Sequence, residues 1–587
     1  MSATLEALAV SRGTRLPQHR FGPWALARTE GGRLVRHPVT WFGIALSLVT
    51  FLLNTWWWAP VLQSDDVLTG FGLLPLAGAT FLVVNLAVTR SRRHGTDDLY
   101  ESVPVGAEGR TVGHLLSIVY PVSIGVVLVA AMMGVRLLQD SVGSPDAIEL
   151  VTGPVIVGLA GVIAVAAGRW WPRGATGPVI LVALAAGQML MQFQHASGGI
   201  GPGKPARWLA LWVPMAASGQ PARELVARPS GCHLVYLGAL GVVVASVAVL
   251  RHRPRVRVAV ILAGAVAITV LVAAIEVRGA TNGDVRRMAE LLRHPGRHQV
   301  CETRMGVRYC AFPPYRGWID RWAGAIEPIL ATVPSDAGVQ GIEVTQTLIL
   351  YGSDVQRVKG LPLANTAGQT SYAESADLGS AIRPSSQWGR GSKEGGYQLG
   401  LDLVVAAMEV RLPRRPQDIR WTPAEIRSVT RHMQPPDRKA FLATTKPGDP
   451  MVQCSALGQA RAVVALWLAA SATDGTRSAF LQDIQTNVQL HHQGPETDVG
   501  PWFYPETANA VPTFNFPVQW AEPEATYANQ LLAMPRGHVS EVIRANWARL
   551  TDPATSSDDV ARLFGLRVLP SLASQARSYD PTVVACR

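Results

Sequence analysis

The chain has few charged residues. Asp, Glu, Lys and Arg make up 16% of its 587 residues, whereas a soluble chain of this size carries about 25%. Apolar residues reach 48%, and the mean hydropathy is +0.17. This balance excludes both a purely soluble protein and a disordered one, because neither combines so little charge with so much apolar surface. It favours a chain that places part of its length in a membrane.

The beginning of the sequence lacks the pattern of a secretory signal peptide. Residues 1–38 hold six arginines and no apolar core, which predicts a cytoplasmic segment. The stretch Trp24–Arg36 is typical of an amphipathic helix at the inner membrane surface, with Trp24, Leu26 and Leu34 in lipid. A solvated tail is the alternative interpretation.

Sequence signatures of catalysis and nucleotide binding are also missing. Residues 198–205 nearly fit the phosphate-binding pattern G-x-x-x-x-G-K-[ST], but Pro205 offers no hydroxyl for magnesium. Neither H-E-x-x-H nor G-x-S-x-G occurs, and the closest histidine cluster, at 491–496, is interrupted by Gly494 and Pro495. The sequence therefore predicts a protein that is not catalytic by itself and uses no metal or cofactor.

Seven apolar stretches are long enough, or nearly so, to cross a bilayer, which takes roughly 17–25 residues of helix. They are Val39–Leu62, Val67–Thr89, Thr111–Gln139, Leu150–Gly168, Gly174–Phe193, His233–Leu250 and Val256–Val277. We therefore predict an all-α membrane bundle of about seven transmembrane helices over residues 39–277. The mixed patterns of residues 278–587, including a hairpin at 300–310 and a helix at 318–332, predict an α+β domain after it.

The arginines predict how the bundle is oriented. Segments 1–38, 90–110, 169–173 and 251–257 carry 16 arginines, whereas the opposite side carries six Lys or Arg. Because cytoplasmic loops are rich in Lys and Arg, the N-terminus is predicted to be cytoplasmic. An odd number of spans then places the C-terminal domain outside a multi-pass protein of the cell membrane. The excess of basic residues over acidic ones is therefore explained by membrane orientation and does not indicate binding to nucleic acid.

The cysteines fall on the predicted outer side, which suits an oxidising compartment. Cys301 and Cys310 flank a tight hairpin with Gly306 at its turn, which predicts a disulfide between them. The sequence also allows a second bridge, Cys454–Cys586, which leaves Cys232 as the odd cysteine. The alternative is five unpaired thiols. The cysteines are Cys232, Cys301, Cys310, Cys454 and Cys586.

The predicted spans lack ionisable residues near their centres. Ion-coupled transporters and proton pumps usually need such groups to take up and release the ion. Arg136, Arg169 and Glu276 lie near span ends instead. We therefore expect the bundle to have no energy source of its own.

The loop after the second predicted span has the pattern of a short helix. Thr96 can cap it, and Asp97 lies in its first turn. Leu99 and Tyr100 follow on a semi-apolar face, and Pro104 ends the helix. A short structured helix between two spans suits a cytoplasmic docking partner, whereas a solvated interfacial helix is the alternative.

Two motifs resemble a known family. The loop has an arginine-rich start, then T-D-x-L-Y-x-S-x-P over residues 96–104 and R-T-x-x-H-L over 110–115. Residues 28–38 read R-x-E-x-x-R-L-x-R-H-P. Over about its first 280 residues, the chain resembles permease subunits of actinobacterial ATP-binding-cassette (ABC) exporters. Such permeases usually have six spans, so the seventh span and the large outer domain depart from the pattern.

The resemblance implies a docking loop that packs into a groove on a cytoplasmic ABC ATPase. Carried over by position, the contact residues are Arg93, Thr96, Asp97, Leu99, Tyr100 and Pro104. The implied function is an exporter permease, paired with a second permease as a homodimer or heterodimer, surrounded by membrane lipid and acting on an unknown substrate. The alternatives are a membrane-anchored extracytoplasmic enzyme and a sensor or immunity scaffold without transport.

Overall fold

The computed structural model describes most of the N-terminal half of the chain and a large part of the rest. The residues described are 22–55, 60–96, 106–139, 141–173, 175–196, 210–211, 225, 229–252, 255–278, 282–335, 337, 341–348, 350–351, 363–364, 372–373, 382, 384, 388, 395–408, 423, 427, 454–455, 458–491, 502–504, 513–515, 522–569 and 584–585.

The N-terminal half is helical. Its helices are α1 (Gly22–Arg36), α2 (Pro38–Thr55), α3 (Leu62–Gly72), α4 (Leu74–Val88), α5 (Arg90–Arg93), α6 (Ala107–Ser117), α7 (Val119–Leu138), α8 (Ala147–Trp170), α9 (Thr176–Ala196), α10 (Ser230–Leu250) and α11 (Val256–Arg278). Among the described residues, five helices are long and apolar enough to cross a membrane, or six if the bent pair α1–α2 counts as one span. Each of the seven predicted apolar stretches contains a helix, although α9 offers only a shorter apolar segment, Thr176–Gln188.

Prolines mark two breaks in these helices. Helices α1 and α2 meet at an angle of 57° at Pro38. Helix α3 ends at Gly72 and α4 begins at Leu74, with Pro75 in the first turn of α4. Proline is tolerated there because the first N–H groups of a helix have no partner within the helix. The second predicted span is therefore built from two helices.

Helices α4 and α8 pack against each other in the middle of the bundle, with α2 beside α4 and α10 beside α8. Helix α11 packs mainly on α10. Only 11% of the apolar stretch of α11 is buried, against 67% for Thr69–Val88, so α11 presents its apolar side chains outward. We call the end of the bundle that carries α1 and α5 the inner end, after the arginine-based prediction, and the opposite end the outer end.

Helix α1 forms where an interfacial helix was predicted, but the prediction for its apolar face was partly wrong. Trp24 is 61% exposed, as a lipid-facing residue would be. Leu34 is 4% exposed and packs in a core cluster with Phe81 and Val84 of α4. One side of α1 thus faces the bundle, because Ala27, Glu30, Gly31 and Leu34 form its buried stripe.

The C-terminal half mixes helices and short strands. Its helices are α12 (Asn282–Arg293), α13 (Trp318–Leu330), α14 (Gly395–Ala407), α15 (Ala460–Ser471), α16 (Asp474–His491), α17 (Glu522–Leu532), α18 (Arg536–Ala545), α19 (Trp547–Thr551) and α20 (Ser557–Leu563). Its strands are β1 (Val300–Arg304), β2 (Val307–Ala311), β3 (Glu343–Thr345), β4 (Leu350–Tyr351), β5 (Leu363–Ala364), β6 (Tyr372–Ala373), β7 (Cys454–Ser455), β8 (Trp502–Tyr504), β9 (Thr513–Asn515) and β10 (Val584–Ala585).

Strands β1 and β2 form the predicted hairpin. Met305 and Gly306 make its turn with positive φ values of 47° and 80°. Cys301 and Cys310 lie directly opposite each other in the antiparallel register and form a disulfide, which confirms the predicted bridge. Strand β3 adds to β2 in parallel. The remaining strands form a three-stranded sheet in the order β4-β6-β5 and a four-stranded sheet in the order β10-β7-β8-β9.

The core of this half surrounds one fully buried helix, α15, in which every residue from Ala460 to Ala470 is buried. Trp318 and Trp322 of α13 add a second layer, with Trp388 packed edge-on against both rings. A helix that is apolar on nearly all sides needs neighbours on all sides, and α14, α16, α17, α19 and α20 supply them.

The C-terminal half is attached to the outer end of the bundle. Val61, between α2 and α3, bridges to Val142, between α7 and α8, and both belong to the core cluster that also contains Trp318. A side chain at Gly317 would meet the Val142 side chain within 3 Å. Arg321 Nη2 donates a hydrogen bond to the Gln139 carbonyl at 3.3 Å. The domain therefore contacts the bundle at two connections, one between α2 and α3 and the other between α7 and α8.

Candidate functional site

The inner end carries an ion-pair cluster that joins α1 to the start of the predicted docking loop. Glu30 is buried, and its Oε1 accepts hydrogen bonds from Arg33 Nη1 at 2.7 Å and from Arg90 Nη1 at 3.2 Å. We call these three residues the Glu30 cluster. Burial strengthens such charge-assisted contacts relative to exposed ion pairs. The cluster therefore holds α5, which follows the second predicted span, against α1.

Helix α5 ends in a left-handed turn at Gly95, whose φ is +61°. The Gly95 N–H bonds to the Arg92 carbonyl at 3.2 Å, and the Thr96 N–H bonds to the Ser91 carbonyl at 2.9 Å. This is the Schellman pattern, in which glycine tolerates the positive φ and the last carbonyls gain partners. The chain is thus held up to Thr96.

Two of the six predicted docking residues lie within the described structure. Arg93 Nη2 donates to the Leu86 carbonyl at 2.9 Å, and Thr96 Oγ1 donates to the Ser91 carbonyl at 3.3 Å. The predicted helix with Asp97, Leu99, Tyr100 and Pro104 lies outside the described residues. Its proposed contact with an ATPase therefore stays a prediction.

After segment 97–105, α6 runs alongside α1 in the same direction. Glycines allow close approach here: a side chain at Gly113 of α6 would meet Leu26, and one at Gly31 would overlap the ring of Tyr120, at the start of α7. Small residues at a helix interface are what permit such an approach. Segment 97–105 is therefore bounded on both sides by elements that contact α1.

This close approach gives a matched pair of variants. Gly31→Ala should lower the free energy of unfolding by about 1–3 kcal/mol, because the new methyl group overlaps the Tyr120 ring. Gly32→Ala has open space and should be neutral or stabilise α1 by about 0.5–1 kcal/mol. Unfolding of the purified full-length variants in detergent measures both. Equal effects would show that α1 does not pack on the start of α7 in this way.

A second set of contacts joins α6 to the loop between α10 and α11. Thr111 Oγ1 lies 3.0 Å from His252 Nε2, and Arg255 Nη2 lies 2.7 Å from Glu108 Oε2. Burial, followed by the charge of Arg169, lowers the pKa of His252. The imidazole is therefore neutral near pH 7. Thr111 Oγ1 also donates to the Ala107 carbonyl at 3.0 Å, which leaves its lone pairs to accept from an imidazole N–H. The inner end thus connects α1, α6 and the last two long helices.

Ionisable side chains also meet at the outer end, a cluster that sequence reasoning missed. His233 of α10 and Glu276 of α11 are fully buried, with Nδ1 and Oε1 3.5 Å apart. Ser230 Oγ donates to Glu149 Oε1 of α8 at 2.7 Å. We call these four residues the outer polar cluster. These contacts join α10 to α8 and to α11.

Other buried polar groups lie near the same end. Arg136 is fully buried, with its guanidinium 5.2 Å from the centre of the Phe51 ring. The carboxylate of Asp66 in α3 accepts a hydrogen bond from the Asp146 N–H, and Asp146 caps α8 by accepting from the Ile148 N–H at 2.9 Å. These groups lie near helix ends, as the sequence indicated for Arg136 and Glu276.

A simple count along the chain could have found the His233–Glu276 pair. The two residues are similar distances from the connection at 251–255, about 18 residues before it and 21 after it. In an antiparallel helical pair, such residues lie at similar depth because both helices rise about 1.5 Å per residue.

Cofactor and metal chemistry finds no support in the described part of the chain. The residues described hold no group of three or more His, Cys, Asp or Glu side chains placed to bind a metal ion. His491 ends α16, and the rest of the histidine cluster at 492–496 lies outside the described residues. Cys232 is a free thiol. Of the second candidate bridge, Cys454–Cys586, the residue Cys586 lies outside the described residues.

Comparisons with known protein families, curated proteins and solved structures found no match for this chain.

Proposed function

We propose that the chain is the membrane-spanning subunit of an ABC transporter, an exporter driven by a separate cytoplasmic ATPase. The observation that carries this proposal is the anchoring of segment 97–105. Before the segment, Arg90 is bound to Glu30; after it, α6 packs along α1 through Gly113. A partner that moved the segment would therefore act directly on the helices at both of its ends.

The energy source is the second step of the argument. The long apolar helices carry their ionisable side chains near their ends, as with Glu276 close to the end of α11. Coupling to an ion gradient usually needs ionisable side chains near the middle of the membrane, along the translocation path. A subunit without ionisable side chains at mid-membrane would take its energy from a partner. Segment 97–105, which is held at both ends, suits the transmission of a partner's movement to the bundle.

The C-terminal domain fits a role in gating or presenting substrate at the outer end. It contacts the bundle at Val142 and Gln139, which follow α7, and at Val61, which follows α2. Movement of α2 or α7 would therefore be transmitted to the domain through these contacts. We propose that the domain faces the outside of the cell and responds to the state of the bundle. Two copies of the subunit, or one copy with a related permease, would complete the transporter.

The test is a pull-down of the tagged full-length chain from native membranes, followed by identification of bound ATPases and an ATPase assay. We expect a nucleotide hydrolase to be recovered with the wild type and lost with Leu99→Asp or Tyr100→Arg, because each change places a charge on the predicted semi-apolar face. Arg173→Glu changes an exposed residue in the loop between α8 and α9 and serves as the control.

Two outcomes would contradict the proposal. Recovery of the ATPase with Tyr100→Arg at the wild-type level would exclude this loop as the docking site. Absence of any ATPase with the wild type would favour the alternatives, a membrane-anchored enzyme or a scaffold. Hydrolytic activity of the purified full-length chain alone would then distinguish these two alternatives.

A further inference from the structure

A cavity of about 440 Å³ lies at the inner end, where α1 turns into α2 beside the last turn of α4. One wall is basic, and its residues come from two separated parts of the chain. They are Arg33, His37, Arg90 and Arg93. Arg33 and Arg90 also belong to the Glu30 cluster, and Arg93 is one of the predicted docking residues, but neither role explains why they surround an open cavity.

The basic wall keeps a positive charge after its internal contacts are counted. Glu30 is the one carboxylate that the described contacts place on it, and it bonds to both Arg33 and Arg90. Arg93 bonds instead to a neutral carbonyl, that of Leu86. Each guanidinium has five N–H donors, and the described contacts use one apiece. The cavity thus offers several donors and a net charge of about +2 to an anion.

His37 adds a neutral donor. The Val39 N–H donates to His37 Nδ1 at 3.2 Å, so Nδ1 carries a lone pair and the proton of the neutral ring lies on Nε2. The imidazole therefore contributes one hydrogen-bond donor to the basic wall without further charge.

The opposite wall is apolar. Leu34, Val83, Leu86 and Ala87 line it, and the last three lie in the final turns of α4. Helix α4 is one of the most apolar helices of the chain, and its end marks the predicted boundary between lipid and water. A ligand that fits both walls must be amphipathic, with an anionic group next to a hydrocarbon portion.

We propose that this cavity binds the headgroup phosphate of an anionic glycerophospholipid from the inner leaflet. The phosphodiester would accept hydrogen bonds from the arginines, and the glycerol backbone would lie against Leu34 and Leu86. A zwitterionic lipid brings its own ammonium group to a basic wall and is disfavoured. The lipid would connect α1 to α5 beside the Glu30 cluster. This inference does not depend on an ATPase partner.

The test uses the full-length chain, purified in detergent and stripped of lipid. Short-chain phosphatidylglycerol, short-chain phosphatidylcholine and inorganic phosphate are titrated, and binding is followed by native mass spectrometry and by thermal shift. We expect saturable binding of phosphatidylglycerol, at least tenfold weaker binding of phosphatidylcholine, and weaker binding still of inorganic phosphate.

Arg93 provides the sharpest variant, because it lines the cavity and lies outside the Glu30 cluster. Arg93→Gln should weaken phosphatidylglycerol binding about tenfold, as expected for the loss of one charge-assisted contact. Arg93→Lys should retain binding within about threefold. Arg92→Gln, on the same short helix but not lining the cavity, should change binding less than twofold.

Three results would overturn the inference. Equal losses with Arg92→Gln and Arg93→Gln would indicate general attraction to a basic surface. Equal binding of the two lipids would remove the role of net charge. Inorganic phosphate that competes as well as the lipid would indicate a simple anion site. Arg93→Lys keeps the test valid even if Arg93→Gln folds poorly.

Discussion

Replacing His233 with leucine is expected to lower the free energy of unfolding of the purified chain by about 3 kcal/mol. The side chain is fully buried, and its Nδ1 lies 3.5 Å from Glu276 Oε1. Without the imidazole, the Glu276 carboxyl group loses this polar neighbour in a site with no exposed surface. Breaking a buried pair by removing one member is costly because the other polar group is left behind.

A double-mutant cycle separates the pair from simple loss of packing. His233→Leu and Glu276→Leu are each made alone and then together, and unfolding is followed in detergent. The double variant should lose much less stability than the sum of the single variants, because it removes both polar groups at once. Val277→Leu changes an exposed neighbour on α11 and should alter stability by less than about 0.5 kcal/mol.

Additive single effects would show that the two side chains do not interact. A coupled result would mean that α10 and α11 behave as one hairpin, because the His233–Glu276 contact lies at the end opposite the 251–255 loop. In that case α11 would stay with α10 during any movement of the bundle.

The long helices were predictable because a membrane permits few alternatives. In lipid every backbone N–H and C=O group must bond within its own segment, so an apolar run of sufficient length becomes a helix. Helices α8 and α11 lie where the apolar stretches 150–168 and 256–277 predicted them. The break at Leu73 was not predicted, because a hydropathy average does not register the local effect of Pro75.

Side-chain neighbours were harder to predict than helices. The periodicity of α1 identifies Trp24, Leu26 and Leu34 as apolar positions, but it cannot distinguish a lipid neighbour from a protein neighbour. Leu34 packs on α4, whereas Trp24 is exposed. For Glu276, periodicity indicates only a position near a helix end, and its partner emerges only when α10 and α11 are aligned across the 251–255 connection.

The C-terminal domain shows which local signals were sufficient. The β1–β2 hairpin was predicted from a turn glycine and two flanking cysteines, all of which act within eleven residues. Helix α16 was not predicted, because its residues are mostly polar and form no clear apolar face. The arrangement of α14 and α17 around α15 depends on contacts distant in sequence, which no local pattern encodes.

Removing the Cys301–Cys310 disulfide is expected to lower the free energy of unfolding by up to about 3 kcal/mol. The bridge closes a loop with a sequence separation of 9, and a shorter loop restricts the unfolded chain less than a long one. The double variant Cys301→Ser/Cys310→Ser is compared with the wild type by thermal unfolding. Cys232→Ser removes the free thiol and should leave stability within about 0.5 kcal/mol.

The same bridge tests the predicted side of the membrane. Disulfides persist in oxidising compartments, whereas the cytosol keeps thiols reduced. If the C-terminal domain faces outward, Cys301 and Cys310 should resist alkylation in native membranes until a reductant is added, while unfolding alone should expose Cys232 to the reagent. Prompt alkylation of Cys301 and Cys310 in freshly prepared membranes would mean that the domain lies in the cytoplasm. With the predicted odd number of spans, that result would reverse the orientation on which the ATPase contact at segment 97–105 depends, because the loop would then face away from cytoplasmic ATP.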